Sequence, residues 1–71
     1  MTDADLKQAL DYVQADLDYL HELTKVGRGK DPTATRVRYR IQGMVNLLEN
    51  LTGRVFYSSD FSIKIEEDDE S

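Results

Sequence analysis

Residues 6–34 read LKQALDYVQADLDYLHELTKVGRGKDPTA, and the punctuation of this stretch decides the fold. Leu6, Leu10, Val13, Leu17 and Leu20 recur at alternating spacings of four and three, the period that returns side chains to one face of an α-helix. Ala9, Tyr12, Tyr19, Leu23 and Val26 widen that stripe on one side. Gly27 then ends it, because glycine takes the left-handed backbone of a helix C′ position without a Cβ clash. After the flexible segment Gly27-Arg28-Gly29-Lys30, Asp31-Pro32 starts a second helix. The aspartate accepts hydrogen bonds from first-turn amides, and proline at the first helical position gives up no hydrogen bond the helix would make.

Working outward, Thr2 stands three residues before Asp5 in the spacing of a capping box, and the early acids Asp3 and Asp5 suit the positive end of the helix dipole. Downstream, Ala34, Val37, Ile41, Met44, Leu48 and Leu51 form a second stripe flanked by Val45 and Leu47, and Gly53 closes it. The pattern predicts helices over about 3–26 and 32–52 joined by a loop at 27–31. So short a connection makes the two helices antiparallel neighbours.

Beyond Gly53, Arg54-Val55-Phe56-Tyr57 is β-prone, Ser58-Ser59-Asp60 is turn-like, and Phe61-Ser62-Ile63-Lys64-Ile65 alternates apolar and polar. A β-hairpin with strands at about 54–57 and 61–65 is predicted, packed on the helices because an isolated hairpin is marginal in water. The expected class is therefore mainly α (α+β): a helix–loop–helix hairpin and a short C-terminal β-hairpin in one domain, residues 1–65. Residues 66–71, EEDDES, read as an acidic disordered tail.

A chain of 71 residues lies near the lower limit for an independent core, where disulfides, a metal or a partner commonly contribute. It has no cysteine and one histidine, His21, which excludes disulfides, thiolate metal sites and a multi-histidine site within one chain. No cofactor is expected. His21 falls with Asp3 and Gln14 on the polar side of its helix and reads as solvated. The acidic start differs from a basic-then-apolar secretory leader, and no apolar run approaches the roughly 20 residues of a membrane span. The expectation is a cytoplasmic protein with no membrane partner.

Net charge is −5, but it is segregated. Residues 1–24 hold six acids and one base, 25–40 six bases and one acid, and 41–71 seven acids and two bases. Three candidate surfaces follow. Arg28, Lys30, Arg36, Tyr39 and Arg40 form a candidate partner- or polyanion-binding set, since guanidinium groups suit phosphates and an exposed tyrosine can stack on a base. The plainer meaning of these bases is neutralisation of the chain's own acids. Asp11, Asp18 and Glu22 form a candidate acidic interaction surface, able to imitate a phosphate backbone. Leu10, Asp16, Leu17, Leu20, Met44 and Leu48 are candidate residues of an oligomer interface, because both stripes are wider than one seam requires. Asp16 falls inside the widened stripe, so it is either a buried carboxylate with an arginine partner or part of an exposed rim. Finally, Phe61-Ser62-Ile63-Lys64-Ile65 with its acidic flank resembles a SUMO-interacting motif, which implies strand addition in a eukaryotic setting. A core-packing strand has the same composition.

No Ser/His/Asp set or carboxylate pair with a cleft can be argued, so the chain reads as a non-enzyme. The function expected is a small protein–protein interaction module, an adaptor or an inhibitor of a larger protein machine. It would be a homodimer and of the size and charge of a phage- or mobile-element-encoded protein, its acidic surface a candidate nucleic-acid mimic. The alternative is a nucleic-acid-binding protein using residues 25–40.

Overall fold

The computed structural model describes residues 2–66. Two helices, α1 (Asp3–Lys25) and α2 (Pro32–Thr52), precede two strands, β1 (Phe56–Ser59) and β2 (Ser62–Ile65), paired antiparallel. The helical hairpin followed by a β-hairpin is the architecture expected. Within the acidic tail expected at 66–71, Glu66 instead continues the ladder, its N–H donating to the Val55 carbonyl at 2.8 Å. Residues 67–71 lie outside the described residues.

Local chemistry sets each helix end. The Thr2 hydroxyl accepts from the Asp5 N–H at 3.1 Å and the Asp5 carboxylate accepts from the Thr2 N–H, a reciprocal box. At the other end the Arg28 N–H donates to Leu23 and the Gly27 N–H to Thr24, with Gly27 at φ 76°. This is the double bond of a Schellman turn. Asp31 caps α2 through the Thr33 N–H, and Gly53 at φ 69° ends it. Arg28 donates to the Asp31 carboxylate at 2.8 Å. That hydrogen bond, with the one from Thr33, holds the Asp31 carboxyl below the ordinary aspartate range.

The helices run antiparallel: Thr2 and Leu6 lie beside Leu51 and Arg54, while the Arg38 guanidinium lies near Gly29 at the opposite end. Val13, Leu17, Leu20 and Leu23 of α1 meet Ala34, Val37, Ile41 and Leu48 of α2, and Phe56 closes this core from the sheet. Each of these side chains larger than Ala34 contributes about 1.5–3 kcal/mol by leaving water.

The strands sit later than the sequence predicts. Ser58 and Ser59 belong to β1, and the turn is Asp60-Phe61, both left-handed at φ 51° and 59°. Two left-handed residues between paired strands make a type I′ turn, whose twist matches the strands it joins. Asp at the first position is favourable. Phe at the second is not, because a β-carbon there meets the backbone, and the strain is held by contacts of Phe61 with α1.

Candidate interaction surface

α1 presents two opposed sides. Gln14 and His21 face the β-hairpin. Tyr12 and Tyr19 each precede them by two positions, about 200° round the helix, and face away from it.

On the hairpin side, the Gln14 side-chain amide behaves as a peptide unit of a third strand. Its Nε2 donates to the Phe61 carbonyl at 2.8 Å and its Oε1 accepts from the Ile63 N–H at 3.1 Å. The remaining Nε2 hydrogen goes to Asp18 at 2.9 Å, which fixes the amide's orientation. The His21 ring stacks on Phe61 with centroids 4.5 Å apart and planes 8° from parallel. His21 is thus half-buried, which corrects the expectation of a solvated histidine. At the other strand, Glu49 of α2 accepts from the Phe56 N–H at 3.2 Å. Gln14 occupies the outer edge of β2, and Ile63 and Ile65 pack against the core. The segment resembling a strand-addition motif is therefore a core-packing strand whose edge Gln14 occupies at Ile63.

The opposite side has no such cover among the described residues. Tyr12 is 63% exposed, and Leu47 of α2 is 58% exposed. Tyr19 and Leu51 are exposed as well, and Met44, about one turn from Arg40 and Leu47 on α2, is half-buried. At the middle of this flank Asp16 and Arg40 form a bidentate pair, Nε and Nη2 each 2.8 Å from a carboxylate oxygen. The Asp16 side chain is only 17% exposed, so the arginine-partnered alternative is the one the structure adopts, and the partner lies in the same chain. The Asp16 hydrogen bonds also push the Arg40 guanidinium above its already high value.

The remaining candidates are dispersed. Arg28 is engaged with Asp31 and Arg40 with Asp16, whereas Lys30, Arg36 and Tyr39 are exposed, with no acidic partner for the first two among the described residues. Bases neutralising the chain's own acids accounts for two of the five candidates. Asp11, Asp18 and Glu22 are exposed on the outward face of α1, within about 40° of one another. Asp18 and Glu22 there bond Gln14 and Lys25. Of the residues expected at an oligomer interface, Leu17, Leu20 and Leu48 are buried inside the chain, and Leu10, Asp16 and Met44 are half-buried, Asp16 on the open flank. Leu17, Leu20 and Leu48 therefore offer no surface on the open flank while this chain is folded. The open side is built instead by Tyr12, Tyr19 and Leu47, legible in the sequence only as the outer margins of the stripes.

Among the described residues no group of three or more metal-ligating side chains comes together, and no helix is long and apolar enough to cross a membrane. Compared with family models, curated proteins and solved structures, the chain matches none.

Proposed function

We propose that this chain is a non-enzymatic protein-interaction module, an adaptor or inhibitor acting in the cytosol, which docks on another protein through the flank of the helix pair that the β-hairpin leaves bare. One observation carries this reading: Tyr12, Tyr19 and Leu47 stand exposed around the pre-organised Asp16–Arg40 pair. Tyrosine and arginine are enriched where interfaces are buried, since each supplies a large contact area with a polar handle. A pair already locked in the free chain also loses little side-chain entropy on binding.

Photo-crosslinking tests it. A benzophenone-bearing residue at position 19 is expected to form adducts with a discrete protein, or with a second copy at twice the chain mass. Tyr12→Lys with Leu47→Lys should abolish those adducts. Adducts no different from those of the same label at exposed Lys7 would overturn the reading.

A polyanion site at Lys30, Arg36 and Tyr39 is the second reading, favoured by the absence of acidic partners for Lys30 and Arg36 among the described residues. It requires a salt-dependent shift of labelled nucleic acid that disappears in Arg36→Glu.

A further inference from the structure

Each edge of the small sheet gives one N–H to a helix side chain, Ile63 to Gln14 on β2 and Phe56 to Glu49 on β1, and the two edges differ in what lies beside them. Ile63 sends its N–H to Gln14, away from β1, so the Ser58–Ile63 pair is one whose backbone groups point outward. The same holds for Phe56–Ile65, since the Phe56 N–H points to Glu49. β1 therefore directs three groups outward that have no partner among the described residues: the Phe56 carbonyl and both the N–H and the carbonyl of Ser58. Beside them, β1 and α2 line a groove of about 420 Å³ together with Leu17 and Leu20 of α1 and Ile63 of β2. Leu17, Ile41, Val45 and Phe56 give it an apolar floor, Arg38 and Gln42 form the α2 wall, and no acidic side chain lines it. Arg38 has no carboxylate partner among the described residues.

From this juxtaposition we infer that the β1–α2 groove binds an extended peptide segment, which adds to β1 as a third strand, places an apolar side chain on the Ile41–Val45 floor and a carboxylate on Arg38. Backbone bonding at a free edge supplies affinity, and alternate side chains supply selectivity. Glu49, by occupying the Phe56 N–H, sets one end of the added strand, so the contact is short and centred on Ser58. A second copy is the poorer occupant. Its β1 carries no carboxylate before Asp60, and its Phe56 is buried in its own core. The groove is separate from the tyrosine-bearing flank, and either surface can fail without the other.

The test titrates isotope-labelled protein with a pool of blocked heptapeptides in which valine, isoleucine or leucine alternates with aspartate or glutamate. Shifts at the Ser58 amide and at the Ile41 and Val45 methyls are expected, together with new exchange protection at Ser58. Arg38→Glu, exposed and so expected to leave the circular dichroism unchanged, should weaken binding about tenfold, a difference of about 1.4 kcal/mol. A pool with lysine in place of the acids should not bind. Absence of shifts at millimolar peptide, shifts confined to Tyr12, Tyr19 and Leu47, or Ser58 protection that rises with protein concentration alone would each overturn the inference, the last in favour of a second copy.

Discussion

On one flank of the helix pair, Gln14, His21 and Glu49 hold a β-hairpin down by three hydrogen bonds and a ring stack; on the other, Tyr12, Tyr19 and Leu47 meet water around a single ion pair. Both flanks arise from the same kind of sequence, an apolar stripe broader than one helix seam. The difference lies in where the cover comes from. Residues 56–65 close the first flank in cis, and nothing among the described residues closes the second. A broad stripe is therefore not in itself a sign of a second chain. Only the width left after the downstream hairpin has docked can be assigned to a partner.

The largest effect separates a core position from an interface position. Leu17 is 4% exposed, so Leu17→Asp should unfold the chain rather than split a dimer. Even truncation of such a leucine to alanine costs about 2–5 kcal/mol, and the aspartate adds a buried charge. Far-UV circular dichroism reads the outcome, and a fully helical Leu17→Asp monomer would mean that Leu17 belongs to an interface after all.

Gln14→Ala comes next. It strands the Phe61 carbonyl and the Ile63 N–H, which costs about 1–3 kcal/mol in urea unfolding. A change near zero would show that the hairpin does not depend on this clamp.

Position 61 sharpens the same comparison. Phe61→Ala loses the His21 stack and keeps the left-handed strain, whereas Phe61→Gly loses the stack and relieves the strain. The glycine variant should exceed the alanine variant in stability by about 1 kcal/mol. Equal stabilities would place no strain at the turn. Smallest of all, Tyr12→Lys with Leu47→Lys on the bare flank should move stability by no more than about 0.5 kcal/mol, and a larger loss would show those side chains to be covered within the chain.

Sequence reasoning reached the parts of this fold that are written locally. Thr2 with Asp5, Asp31 with Pro32, and Gly27 and Gly53 mark helix ends within a few residues, and the three–four spacing marks the faces between them. It missed the clamp because Gln14 and Phe61 are 47 residues apart, and a lone polar side chain has no period to betray its partner. The turn falls later than the sequence predicts for a related reason: phenylalanine disfavours a left-handed backbone, and contacts across the fold hold it there. Asp16 was legible as an anomaly in the stripe, but its arginine could not be named until α2 was laid alongside α1. The bare flank is legible as surplus width, but the set Leu10, Asp16, Leu17, Leu20, Met44 and Leu48 read from it holds three core leucines and leaves out Tyr12, Tyr19 and Leu47.

Amide hydrogen exchange on the free protein tests the central asymmetry most directly. The N–H groups of Phe56, Ser58 and Ile63 all point away from the partner strand, so the ladder protects none of them. Phe56 and Ile63, bonded to Glu49 and Gln14, should exchange slowly, and Ser58 should exchange fast. Equal rates at all three would contradict the account, because the hairpin would then not be clamped to the helices by the side chains that close one flank and leave the other bare.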